Sequence, residues 1–310
     1  MPKRCFRRLL CLIAVLALTL PTPAGRAADD EPEGLMEPFP FLDTVFKQHL
    51  FTLERGTSSI NFQMQGACTD GRYIWAGWNY RCAITRLDLT TWEMVTREYS
   101  AEDWPYAHVN DMTYNPNTNL VYVVAYDPND NSTRGDIGVF DPMTLEHIET
   151  IHLSHDGAMI RINGLAYDRA ADQYIVSLTA SNGRKFVFLD ADFQYLRTVS
   201  TAENEPLVLQ GIETDGTYIY RALWELNVNN YIRVIDFEGN IVATIDTDTT
   251  ESALELEDLM YDWNGNWYMN FARDRGLGGE FYYTRLTPSH DNSQLENLLG
   301  RLGTTVSLVM

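Results

Sequence analysis

The chain has 310 residues, with 23 Lys and Arg against 43 Asp and Glu and a formal net charge of −20 at pH 7. Such a surface repels phosphate backbones and anionic membranes, which counts against nucleic acid as a partner and leaves cations, small polar molecules, glycans and proteins. Hydrophobic residues make up 45% of the chain, enough to bury a large core as one domain.

Residues 1–27 have the form of a secretory signal peptide. Lys3, Arg4, Arg7, Arg8 and Arg26 come without an acid, an apolar run covers 9–20, and small residues follow around Ala24 and Ala28. Export is therefore expected, with no membrane insertion, because no second apolar stretch of spanning length follows. Loss of those five basic residues takes the net charge to about −25. Cys5 and Cys11 leave with this segment, and Cys68 and Cys82 remain. In the repeat pattern described below they sit two strands apart, roughly 9.5 Å, beyond disulfide reach, so both are expected as buried free thiols.

Residues 28–44 include the acidic, Pro-rich run DDEPEGLMEPFP and are expected as a disordered leader. The stretch 45–53, VFKQHLFTL, resembles the runs MVTREY, HIETIHL, YLRTVST and IVATIDT that end later segments.

Five related segments then follow: QMQGACTDGRYIW, HVNDMTYNPNTNLVYVV, RINGLAYDRAADQYIV, VLQGIETDGTYIY and ELEDLMYDWNGNWYM. Each reads as a strand, a turn rich in Asp, Asn and Gly, and an aromatic or β-branched strand. Aligned on Gly66, Asp111, Gly164, Gly211 and Asp258, they recur at the period of about 45 residues that belongs to four-stranded propeller blades. The pattern predicts an all-β, five-bladed β-propeller over 45–290, with the 45–53 strand completing the fifth blade. Third strands that end in Asp88, Asp141, Asp190 and Asp236 place an acid where it caps a turn. Residues 291–310 are expected as an appendage, a helix over 293–302 followed by an extra strand.

In a propeller the loops that enter the first strand and join the second to the third open on one face around the central channel. Just before the aligned position stand Gln65, Asn110, Asn163, Gln210 and Glu257, polar in all five segments. They either satisfy backbone groups at the strand mouths or offer oxygen atoms to a hard cation or a polar ligand. The other loops carry Trp78, Tyr80, Arg81, Tyr126, Arg134, Arg184, Trp224, Arg273 and Arg275, with Arg161 beside them. Aromatic faces stack on sugars or cations, and guanidinium forks grip carboxylates. Trp78, Tyr80, Arg81, Tyr126, Arg161, Trp224 and Arg273 are the expected ligand-binding set. Packing between blades is the alternative role for these aromatics.

The runs INGLAYD and VNDMTYN resemble the opening strands of gluconolactonase-type, NHL-type and YVTN-type propellers. That resemblance implies a calcium ion held by Asn110, Asp111, Asn163, Glu257 and Asp258, with His108, Asp111 and Glu257 as the catalytic set of a lactonase or related hydrolase. His108 would be the base. Five segments stand here where the lactonase-type enzymes have six. Gln65-Gly66, Gln210-Gly211 and the run Glu255-Leu256-Glu257 resemble strand openings of the secreted five-bladed glutaminyl cyclases. The expected function is binding of a small polar ligand, glycan or protein at the channel mouth by a monomer, with calcium-assisted hydrolysis or glutaminyl cyclisation as the enzymatic alternative.

Overall fold

The computed structural model describes residues 41–54, 63–79, 83–127, 129–130, 133–179, 184–202, 207–225, 228–249, 254–273, 278–288 and the backbone of 306–309. The expected signal peptide and nearly all of the leader, Tyr80, Arg81, Cys82, Arg275 and the expected helix over 293–302 lie outside them. No helix among the described residues is long and apolar enough to cross a membrane.

Strand β1 (Phe46–Glu54) comes first. Blade 1 follows as β2 (Met64–Thr69), β3 (Tyr73–Trp78), β4 (Ala83–Asp88) and β5 (Met94–Glu98), and blade 2 as β6 (His108–Asn115), β7 (Leu120–Tyr126), β8 (Asp136–Phe140) and β9 (His147–His152). A short hairpin, β10 (Ser154–His155) and β11 (Ala158–Met159), leads to blade 3: β12 (Ile162–Asp168), β13 (Gln173–Leu178), β14 (Lys185–Leu189) and β15 (Tyr195–Ser200). Blade 4 is β16 (Val208–Thr214), β17 (Tyr218–Glu225), β18 (Asn229–Asp236) and β19 (Ile241–Asp246). Blade 5 holds β20 (Leu254–Tyr261), β21 (Trp267–Arg273), β22 (Gly279–Arg285), then β1, then β23 (Val306–Val309). Blades 1 to 4 are antiparallel meanders in chain order, blade 5 takes β1 as its fourth strand, and the first strands β2, β6, β12, β16 and β20 touch in a closed ring. The fold is a five-bladed β-propeller.

The alternation of apolar residues along these strands gives each sheet two buried faces, and the core is divided accordingly. One apolar cluster fills each of the five gaps between neighbouring blades. Turns repeat with the same regularity. At the first turn of each blade Asp70, Asn115, Asp168, Asp215 and Asp262 accept two backbone N–H bonds through one side-chain oxygen. At the third turn Asp88, Asp141, Asp190 and Asp236 do the same. The expected capping role is what these acids have: a short side-chain acceptor replaces a backbone partner where the chain reverses.

Ring closure follows the sequence expectation. Strand β1 pairs antiparallel with β22, from Phe46 opposite Arg285 to Leu53 opposite Gly279, and β23 adds itself in parallel to the outer edge of β1. A polar clasp locks this seam. Glu280 accepts from His49 Nε2 at 2.7 Å and Thr52 Oγ1 at 2.6 Å, and its other oxygen meets Arg273 at 2.6 Å, while Arg273 also reaches Glu54 at 3.0 Å. These bonds outweigh burial and hold the Glu280 carboxyl below its ordinary range. Glu280→Ala strands Arg273, His49 and Thr52 together, so a loss of about 2 kcal/mol is expected in urea denaturation. Amide exchange over β1 should accelerate before that of any other strand, and equal protection across the blades would contradict this.

Candidate site at the channel mouth

The polar column of the sequence has a backbone cause. In every blade the pairing of first and second strands slips at the same place: between Met64 and Ala67, Val109 and Asp111, Ile162 and Gly164, Leu209 and Ile212, and Leu256 and Asp258. The residues caught in these bulges include Gln65, Asn110, Asn163, Gln210 and Glu257. A bulge leaves a residue unpaired and re-aims its side chain. Five polar side chains are thereby presented at one opening.

Below them lies the axis. The next backbone N–H in each blade belongs to Ala67, Met112, Leu165, Ile212 and Leu259, and all five donate to just two carboxyl groups. Asp111 accepts from Met112 at 2.7 Å, Leu165 at 2.7 Å and Ile212 at 2.9 Å. Asp258 accepts from Ala67 at 2.8 Å and Leu259 at 2.8 Å. Both side chains are fully buried and hydrogen-bonded to each other. Three glycines make the room: a Cβ on Gly66 would lie 2.5 Å from the Asp111 Cα, one on Gly164 would lie 2.9 Å from Asp111 Oδ2, and one on Gly211 would strike Asp258. Two acids and three glycines therefore close the channel.

Burial pushes the Asp111 carboxyl up to about 7, against the pull of its amide donors, and raises Asp258 well above the carboxylate range, with the Asp111 charge adding to burial there. Two carboxylates in contact cannot both be ionised in so dry a place, so the pair holds a proton between them. Glu213 and Cys68 lie one layer deeper. Burial, then the charge of Asp111, raises Glu213, which accepts from Thr214 N–H at 2.8 Å. Burial, with Glu213, Asp258 and Asp111 nearby, raises the Cys68 thiol. Cys68 is a buried free cysteine that stays protonated and unreactive.

At the mouth itself Gln65 donates to Glu257 at 2.7 Å, Asn110 to Asn163 at 3.0 Å, Asn163 to the Leu209 carbonyl at 3.0 Å, and Gln210 to Glu255. Glu257 is 2% exposed, and burial followed by the Glu255 charge lifts its carboxyl well above the usual range. Asn270 donates to the Gln65 carbonyl while its buried side-chain oxygen has no partner. His108 bonds through Nδ1 to Asn79 Oδ1 at 2.8 Å and lies against Tyr126, whose ring carries the Arg134 guanidinium at 4.0 Å. Burial, then Arg134, depresses His108 to about 4, so it is a neutral hydrogen-bonding group at pH 7.

The expected rim set is dispersed. Trp78 is fully buried and donates its indole N–H to Thr85 at 2.9 Å, so it belongs to the core between blades 5 and 1. Arg273 is taken up by the β1 clasp. Trp224 is half-buried in the strand ladder, opposite Val208 and Asn230. Arg161 lies beside the β10–β11 hairpin. Tyr126 stays near His108. Sequence reasoning passed over Glu213, Asn79 and Asn270. A signal existed for the first: two residues past the aligned column stand Cys68, Thr113, Ala166, Glu213 and Met260, with one acid among uncharged neighbours.

Most of the side-chain oxygens expected to hold calcium accept from N–H donors: those of Asp111 and Asp258 from five amides, that of Asn163 from Asn110 and one of Glu257 from Gln65. Among the described residues no group of three or more His, Cys, Asp or Glu side chains is placed to hold a metal ion. A calcium ion, with its six to eight oxygen ligands, would have to break these hydrogen bonds to use the same acids.

Fold and axial collar define the class, a β-propeller. No protein-family model matches the chain, and no curated protein sequence does. Among solved structures it is similar to the glutaminyl cyclase of Myxococcus xanthus, 16% identical, with a TM-score of 0.55 over 81% of this chain and 99% of that one. It is also similar to a Bacteroides thetaiotaomicron protein of unknown function (10% identical, TM-score 0.49, covering 78% of this chain and 76% of that one). The WD40 domain of Toxoplasma gondii coronin gives 8% identity and a TM-score of 0.41 over 82% of this chain and 89% of that one. At these identities the likeness is one of fold.

Proposed function

We propose that the chain is an exported, monomeric propeller that binds a small polar ligand, of the size of a sugar or an amino-acid derivative, over the floor formed by the axial acid pair. The observation that carries this reading is the set of five bulges, which aim an amide or carboxyl side chain from every blade at one opening. Donors and acceptors then surround a ligand from all sides, as polar recognition in a concave site requires. Export is supported by the charge and apolar pattern of residues 1–27.

Glu257 favours a second reading, in which the bound molecule is also transformed. A buried carboxyl held in its protonated form at a site opening is suited to giving a proton to a departing amine or alkoxide. Cyclisation of an N-terminal glutaminyl residue with release of ammonia, and opening of a lactone, are the reactions to assay.

Glu257→Gln separates the readings. It keeps the shape and removes a carboxyl that burial disfavours, so stability should be unchanged or raised by up to about 1 kcal/mol. In calorimetry with ligands selected from sugars, amides and lactones, affinity should fall at least about tenfold, since a buried partner is lost. A ligand whose affinity ignores both Glu257→Gln and Gln65→Ala would sink the proposal. Turnover abolished by Glu257→Gln would establish the second reading, and no turnover on either substrate class would end it. Calcium added alone is expected to give no binding heat at the mouth.

A further inference from the structure

Away from the axis, the connection between blades 2 and 3 forms a structure that the channel-mouth reading does not use. The β10–β11 hairpin turns at Asp156 and Gly157, with φ of 50° and 75°, the left-handed pair that a two-residue hairpin needs. Its base is tied down by backbone bonds from Leu153 N–H to the Gly135 carbonyl at 3.2 Å, Ile160 N–H to the Leu153 carbonyl at 2.9 Å, and Ile162 N–H to the Arg134 carbonyl at 2.8 Å. A Cβ on Gly135 would lie 2.5 Å from the Ile160 carbonyl, so the hairpin sits directly on blade 2.

Between this hairpin and the face of blade 3 is a cleft of about 430 Å³. Its walls are apolar, with Met159 and Ile160 on one side and Leu178 and Val187 on the other. The lip is a flat aromatic pair: the His155 ring stacks on Tyr195 with centroids 3.9 Å apart and planes 21° from parallel. Met159 and Tyr195, at 45% and 37% exposed, leave apolar surface open to water. The one cation on the lining is Arg161. Among the described residues its guanidinium has no ion pair or side-chain hydrogen bond, in a chain where acids outnumber Lys and Arg by 43 to 23.

We infer that this cleft binds a compact, flat, apolar carboxylate, its ring between the Met159 and Val187 walls and its anionic group on Arg161. Size agrees, since such cavities begin at about 300 Å³. Charge agrees too: a guanidinium fork matches a carboxylate in two parallel bonds. The site is independent of the channel mouth.

The test uses the full chain with 2-naphthoate and, as the uncharged counterpart, naphthalene-2-carboxamide, titrated by calorimetry. Saturable binding of the acid is expected, about tenfold tighter than the amide. Arg161→Gln, an exposed substitution that should leave the melting temperature unchanged, should erase that preference, and Met159→Ser should weaken both probes. The methionine methyl resonance that Met159→Leu removes should shift with 2-naphthoate. Absence of saturable binding at millimolar probe, an acid preference that survives Arg161→Gln, or binding without movement of that resonance would each overturn the inference.

Discussion

Replacing Asp111 with Ala is expected to remove about 5 kcal/mol of stability, enough to prevent folding of many domains of ordinary margin. Three backbone N–H groups from three blades, those of Met112, Leu165 and Ile212, would lose their acceptor at a place with no water. A buried donor left unpaired costs about 1–3 kcal/mol, and three fall together, partly relieved by removing a carboxyl that burial itself disfavours. Asp190→Ala is the control. That acid also accepts two amide bonds, but at an exposed turn where water replaces it, and about 1 kcal/mol or less should be lost. Urea denaturation of the two variants at one pH makes the comparison. Equal losses would show that the axial carboxyls are not what joins the blades.

The second large effect is on pH. Asp111 (raised to about 7), Asp258, Glu213 and Glu257 all hold their protons more tightly folded than unfolded, where a carboxyl titrates near 4. Between about pH 4 and 7 the folded chain therefore binds more protons, and stability falls as pH rises. What Asp111 contributes is fully present below about pH 4 and is lost as pH rises through about 7, and the other three, also raised by burial, act in the same direction. Turn acids act in the opposite sense. Asp141 is held low chiefly by the Thr144 amide, and Asp88 and Asp236 by hydrogen bonds that outweigh burial. Their contribution disappears as pH drops through their depressed range, so the maximum should fall at about pH 4 to 6.

Asp258→Asn tests where this dependence comes from. Its amide can donate to Asp111 without a proton, though one of the Ala67 and Leu259 donors is left without its acceptor. The variant should be less stable than the parent at pH 5 by about 1–2 kcal/mol, and should match or exceed it at pH 8. Parallel curves for the two proteins would place the dependence elsewhere.

The fold was legible because it is written five times. A turn Asp or Asn, an aromatic second strand and a polar residue before the aligned column recur in each blade, and recurrence averages out the ambiguity of any one strand. Residues 45–53 could be assigned to the last blade because they resembled outer strands and had no partner nearby in sequence. The site was legible only as a set of positions. Asp111 and Asp258 stood out as acids in a column of glycines, but whether their oxygens face cations or amides depends on where five backbone N–H groups point. That is settled by the bulges, which leave no mark in the sequence beyond a polar residue. Trp78 was misplaced for a different reason: it ends a strand, and one residue of extension carries an indole from loop to core. Arg273 looked available because its partners, Glu54 and Glu280, lie on β1, far away in sequence, and on the facing strand β22.

The axial column also limits how this gene could have grown or could be rearranged. Its five repeats look like copies, yet they are not interchangeable: exchanging a unit that carries aspartate for one that carries glycine leaves either a void with stranded amides or two side chains in one space. A sixth copy inserted into the ring would bring another amide with no acceptor assigned to it. Shuffled or expanded versions should therefore survive only when the count of acids at the centre is adjusted along with the count of blades.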